Sequence, residues 1–414
     1  MNDEERSNRM FRAKVTSFLR NFSSTPVNKL RVAGMVLAFF VIVNLLLLAG
    51  VKWYYAYHNS RVKFGYRLPD KFVLIRKELP SVFHLIEKDR SKYDINVIML
   101  GDSVSYGAGS QVKPNENIGR YLEDDLTRAL PGKKVKVWNL AIPGSKPGDL
   151  YFVYRKALEL KPDLIVANFN YIFYTPSNIK SPGVFKWLVG DFDQDGRYRA
   201  PVESLLCPNL EHRLEYLAGQ YIPVYRYRDL VNALVFKDYP GKKFQAYANG
   251  TIVRLERLFA VAPAYPTVSS ATTAGNGPKK NEWFYQDWSV KLPTIAYMYN
   301  NTPIDTATNP AYLFTRQIIK EAQASGTPAV FFLAGQNHRL LHGLIDNKEY
   351  VENNRKIDQL FAEQQASYIN FDNRIPDWFF TDNVHLTAPG NQLVARNLTG
   401  LVLAELNRAK AVKP

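Results

Sequence analysis

Short apolar runs alternate with stretches of helical spacing along most of this chain. The runs are "NVIML" (96–100), "VKVWNLA" (135–141), "LIVANF" (164–169), "PAVFFLA" (328–334) and "SYINF" (367–371). Their hydrophobicity is continuous rather than alternating, as in strands buried on both faces of a parallel sheet. Between and after them, "IGRYLEDDLTRAL", "DLYFVYRKALEL", "AYLFTRQIIKEAQASG" and "GNQLVARNLTGLVLAEL" place apolar residues at helical intervals. The pattern predicts an α/β fold, a three-layer αβα sandwich around a five-stranded parallel sheet with right-handed crossovers.

The alternation breaks between Tyr171 and about Asn309, where aromatic, proline-rich and polar sequence takes over. This predicts a large insertion between the third and fourth strands, at about 172–309, with a flexible tip near 267–281. Tyrosines concentrate in 216–247. Most belong to packing, and some could form a sugar-stacking platform or a membrane-resting lid above the site.

Near the N-terminus, Val32 to Val51 runs for twenty residues without a charge, interrupted only by Asn44 and two glycines. That length suits a transmembrane helix, and no small-residue cleavage site follows it. Residues 1–31 carry seven Lys/Arg against three acids, a bias that predicts a cytoplasmic N-terminus. The expected organisation is a basic tail (1–31), a transmembrane helix (32–51), a juxtamembrane linker (52–92) and a domain at 93–414 carrying the insertion. That domain would face the periplasm or the exterior, anchored by a single pass through the cytoplasmic (inner) membrane.

The net charge of +15 stays strongly positive without the tail. A basic exterior suits anionic lipid or acidic polysaccharide. Nucleic acid is excluded as a partner by the predicted placement and the lack of a reader motif. The lone Cys207 makes no internal disulfide.

Ligands of doubly wound sheets gather at the carboxyl ends of the strands. "GDSVSYG" begins directly after the first apolar run and so sets Ser103 on that rim. A serine hydroxyl needs a base, and the base an acid that orients it. "DNVHLTAPGN", after the fifth run, supplies Asp382 three residues before His385.

Gly101, Asp102, Ser103 and Ser105 resemble the first block of the SGNH (GDSL-type) hydrolase and acyltransferase family, and Asp382 to Asn391 resembles its last. The resemblance covers about 95–171 and 311–406. It implies a Ser103, His385, Asp382 triad and an oxyanion hole built from Ser103, Gly144 in "NLAIPGSK" and Asn170 in "LIVANFNYIF". The third block departs from the family's Gly-x-Asn-Asp, because Asn168-Phe169-Asn170-Tyr171 stands there, and Asn168 is the alternative donor. Asn168 and His338 are further candidates for the substrate rim. "SVSYG" lacks the first glycine of an α/β-hydrolase elbow.

Two other patterns invite a metal reading. Asp191, Asp193 and Asp195 before Gly196 imitate the start of a calcium loop, but Val202 stands at its twelfth position and a hairpin turn is preferred. His338 and His342 have helical spacing without a third ligand, which disfavours zinc. The implied chemistry calls for no cofactor.

The resulting expectation is a membrane-anchored serine esterase or O-acyltransferase, acting on O-acetyl groups of a cell-envelope carbohydrate. A lipid esterase or thioesterase, or a non-catalytic envelope binding module on the same fold, are the alternatives.

Overall fold

In the computed structural model the five apolar runs become β1 (Ile95–Leu100), β2 (Val135–Asn139), β3 (Leu164–Phe169), β4 (Ala329–Leu333) and β5 (Ser367–Asn370). They form one sheet in the order β2-β1-β3-β4-β5, with every pairing parallel. The structure describes residues 26–59, 64–68, 72–109, 112–175, 196–228, 283–299 and 301–412. The tail at 1–25, the Asp191, Asp193, Asp195 motif and the tip at 267–281 lie outside these residues.

Helices in chain order are α1 (Pro26–Asn59), α2 (Phe72–Asp89), α3 (Ser103–Tyr106), α4 (Ile118–Ala129) and α5 (Pro147–Glu159). Then come α6 (Leu210–Tyr221), α7 (Leu292–Met298), α8 (Pro310–Ser325), α9 (Lys348–Glu363) and α10 (Ala388–Val412). Local sequence sets their starts. Asn117, Asn309 and Asn347 each cap a helix by accepting a backbone N–H three residues on, at 3.0, 3.1 and 2.9 Å. Gly326 ends α8 in the left-handed conformation with φ +66°.

Because successive strand residues face opposite ways, each strand serves two cores. Val97, Met99, Val166 and Phe332 pack with Leu122 and Leu126 of α4 and Val394, Leu398 and Val402 of α10. Ile98, Leu100, Ala167 and Phe331 pack with α5, α8, α9 and α2 on the other face. Both faces are thus covered, which explains the unbroken hydrophobicity of the runs.

Residues 52–92 do more than connect. Leu79, Val82, Phe83 and Ile86 of α2 lie in the second core, and the strap at 64–68 reaches the turn after β1. Among the described residues, one segment, Leu30–Tyr54 within α1, is long and apolar enough to cross a membrane.

The sheet positions the site through its switch point. β1 lies between β2 and β3, so connections leave it in opposite directions and open a crevice beyond its carboxyl end. Leu100 pairs with Ala167 and Phe169 with Leu333, which brings Gly101, Asn170 and Ala334 to one rim.

Candidate active site

Ser103 opens the single turn of α3. Asp102 caps that turn by accepting the N–H of Val104 at 2.9 Å. Gly101, at φ +152°, occupies a position no other residue fits: a Cβ there would stand 1.7 Å from Oδ1 of Asn168. That oxygen fills the space because it accepts the N–H of Asp102 and the hydroxyl of Ser105, both at 2.9 Å. Ser145 Oγ donates to the carbonyl of Gly101 at 2.8 Å from the β2 side.

His385 arrives from the far end of the sheet. Its Nε2 lies 2.8 Å from Ser103 Oγ, and its Nδ1 lies 2.6 Å from Asp382 Oδ2. These are hydrogen-bond distances on both sides of one imidazole, so the ring can accept the serine proton while Asp382 holds its other nitrogen. A tight loop carries the pair: Phe380 and Leu386 form an antiparallel bridge, and Asp382 Oδ1 accepts the N–H groups of Val384 (2.9 Å) and His385 (2.7 Å).

The electrostatics suit a base. Burial works against a charged His385, but the charge and hydrogen bond of Asp382, with the charge of Asp102, outweigh it and raise its pKa above the ordinary histidine value. Burial also disfavours ionised Asp382, yet the His385 charge and hydrogen bonds hold its carboxyl below the usual range. Asp102 differs: burial pushes its carboxyl up despite bonds from Val104 and Asn170.

The two asparagines of the third block differ in their partners. Asn168 is enclosed under the Ser103 turn, with its amide donating to the carbonyl of Phe169. Asn170 stands one step past β3. Its Nδ2 donates to Asp102 Oδ2 at 3.1 Å, which leaves a second N–H on the same nitrogen, and its Oδ1 is oriented by Ile172 N and Gln336 Nε2, each at 3.4 Å. Gly144, at φ +77°, lies in the loop after β2. Among the described residues, the backbone N–H groups of Ser103 and Gly144 donate to no protein acceptor.

His338 is half-buried after β4, with Nε2 2.9 Å from Asp372 Oδ1; that bond raises its pKa against the effect of burial. His342 instead pairs with Asp346 at 3.4 Å.

Several residues that the pattern did not single out complete the site. Gln336 accepts the hydroxyl of Tyr299, and Asn383 donates to that same hydroxyl at 3.1 Å. A buried chain therefore runs from Asp102 through Asn170, Gln336 and Tyr299 to Asn383, beside Asp382. Asn337 donates to the carbonyl of Asp382 at 3.0 Å. Arg67, in the strap at 64–68, donates to the carbonyls of Tyr106 (3.1 Å) and Gly107 (2.7 Å), and its guanidinium lies 4.4 Å from the Tyr106 ring centre. Tyr106 in turn donates to Leu68 O at 3.0 Å. The signal for Gln336 and Asn337 was their place directly after the fourth run; nothing local marks Tyr299 or Arg67.

No protein-family profile and no curated protein sequence matches the chain. Among solved structures it is similar to an acetyl xylan esterase, with 13% identity and a TM-score of 0.36 over 74% of this chain and all of that one. A GDSL-like lipase from Parabacteroides merdae matches at 12% identity and TM-score 0.33, over 75% of this chain and 97% of that one. A single-residue variant of an acetyl-xylooligosaccharide esterase from Geobacillus Stearmophilus matches at 12% and 0.34, over 76% and 94%. Independently of these, the parallel strand order β2-β1-β3-β4-β5 with helices packed on both faces gives the chain a three-layer α/β fold.

Proposed function

We propose that the chain is a serine esterase or O-acyltransferase of SGNH type, anchored by α1 with its domain outside the cytoplasm, and that it acts on O-acetyl groups of a cell-envelope carbohydrate. The observation that carries the chemistry is the unbroken contact from Asp382 through His385 to Ser103, at 2.6 and 2.8 Å.

In the proposed reaction His385 Nε2 takes the Ser103 proton as Oγ bonds to the ester carbonyl carbon. The developing oxyanion is received by the N–H groups of Ser103 and Gly144 and the second N–H of Asn170. Collapse breaks the bond to the alcohol oxygen, which leaves with the proton from Nε2. Water or a sugar hydroxyl then gives its proton to Nε2, attacks the acyl-serine, and releases an acid or a new ester as Oγ regains the proton. Asp382 holds the imidazole in the tautomer that makes Nε2 the acceptor.

The carbohydrate assignment rests on the anchor, the aromatic insertion and the esterase resemblance. Its test compares the acetyl content of envelope glycans by mass spectrometry in cells with the wild-type protein and with Ser103→Ala. A difference of whole acetyl units supports the assignment; identical glycans alongside an active esterase move the substrate to lipid. Fluorophosphonate labelling tests the chemistry separately. Labelling of wild type that disappears in Ser103→Ala supports the enzyme, and equal labelling of both leaves a binding module.

A further inference from the structure

Resting on the reading of α1 as a membrane anchor, we propose that α6, within the insertion, is a second membrane element that lies in the outer lipid interface and is docked to the span through Asn44. Asn44 is the one strongly polar side chain in the apolar stretch of α1, and such residues in membrane spans call for a partner. It has one. Its Nδ2 donates to Phe40 O at 2.8 Å, and its Oδ1 accepts the backbone N–H of Val224 at 2.9 Å. Val224 sits in the short helix Pro223–Arg226 that directly follows α6 and packs on α1. Asn44 and Val51, about two helical turns apart on one face, are buried, while Phe39, Ile42, Leu45 and Leu46 on other faces of the span stay exposed.

The depth is set by the chain. Asn44 precedes Lys52 by eight residues, so it lies about 12 Å along the helix from the first charge after the span. A protein segment that meets Asn44 there has entered the acyl region.

The surface of α6 fits that place. Leu210, Leu214, Leu217 and Tyr221 are 70, 57, 37 and 71% exposed, and at 100° per residue they share one narrow stripe. An apolar stripe turned to solvent has no partner in water, but an interfacial helix presents such a stripe to lipid. Glu211 and Arg213 are exposed beside it, where charges remain at headgroup level. The helix end is also closed for a dry setting: Arg226 donates through Nε to Gly219 O at 2.8 Å and through its guanidinium to Gln220 O.

The test uses the full chain with Cys207→Ser in vesicles of phosphatidylcholine and phosphatidylglycerol. Single cysteines replace Leu214, Phe39 in the span, or Lys320 on α8, and each carries an environment-sensitive fluorophore. Doxyl groups on the lipid chains should quench the probes at 214 and 39 at least about threefold more than the probe at 320. Asn44→Leu should return the 214 probe toward quenching by aqueous iodide while leaving the 39 probe in lipid. If the 214 probe behaves like that at 320 while 39 remains in lipid, the inference falls and the anchor stands. Lipid quenching at 214 that survives Asn44→Leu unchanged overturns the docking through Asn44. A probe at 39 in water removes the anchor itself, and this inference with it.

Discussion

The Ser103 turn, Gly101–Gly107, and the His385 loop, Thr381–His385, meet at one hydrogen bond but differ in how much of their support is local. The turn depends on distant parts of the chain: Asn168 from β3 fills the space beside Gly101, Ser145 holds its carbonyl, and Arg67 grips its far end. The loop adds local bonds to distant ones: Asp382 accepts two N–H groups from the next three residues and Thr381 N donates to His385 O at 2.8 Å, while Asn337 donates to Asp382 O and Asn383 donates to the Tyr299 hydroxyl. Under the proposed chemistry the serine must be aimed at an external carbon, and its turn is fixed from several sides; the base must keep its ring facing that serine, which Asp382 secures from within the loop.

Substitutions can break this comparison. The largest expected effect is at the meeting point: His385→Ala should lower turnover on an activated ester at least about a thousandfold. Turnover within tenfold of wild type would show that the contact is not used. Next, Asn170→Ala should cost about a hundredfold in kcat if its second N–H meets the oxyanion. Its neighbour should behave differently. Asn168→Ala leaves the buried N–H of Asp102 and hydroxyl of Ser105 without their acceptor, so it should lower unfolding free energy by about 2–4 kcal/mol in denaturant titration. Should Asn168→Ala instead fold normally and lose turnover, the two roles are exchanged.

A smaller effect is expected from the strap. Arg67→Ala removes two bonds to the carbonyl end of α3 without touching the reacting atoms, so kcat should fall about tenfold while KM holds. Arg67→Lys should restore part of it, since one ammonium can reach one carbonyl but cannot cover the Tyr106 ring. A raised KM with kcat unchanged would assign Arg67 to substrate binding rather than positioning.

The same contrast explains what the sequence made legible. The strands were readable because burial on both faces leaves no polar alternation in them, and Gly101 and Asn170 were readable because each directly follows a strand. Asp382 and His385 are three apart, so their pairing is local. The bonds that reach the turn and the loop from outside are long-range: Arg67 lies 39 residues from Tyr106, and Tyr299 lies 84 from Asn383. No periodicity reports such contacts. Helix α9 escaped for another reason. Its buried Tyr350, Ile357, Leu360 and Phe361 keep helical spacing, but charged and amide residues surround them and dilute the stripe. The third block left two asparagines open because a strand's last inward residue and the first residue beyond it differ by only one pleat.

The finest test of the loop is its titration, where activity and stability should move in opposite directions. His385 must be neutral to accept the serine proton, and Asp382 raises its pKa. The kcat/KM profile should therefore rise with pH through an inflection above the ordinary histidine value of about 6.5. Stability runs the other way for this group: a raised folded pKa contributes stability below the unfolded value, and that contribution is lost as pH climbs through the folded one. The depressed pKa of Asp382 contributes above the ordinary carboxylate range and is lost as pH falls through its folded value. Asp382→Asn should remove the charge that raises His385, shifting the residual activity's inflection downward and erasing both stability limbs. An inflection that stays in place would mean that Asp102, which also raises His385 by its charge, governs the base instead.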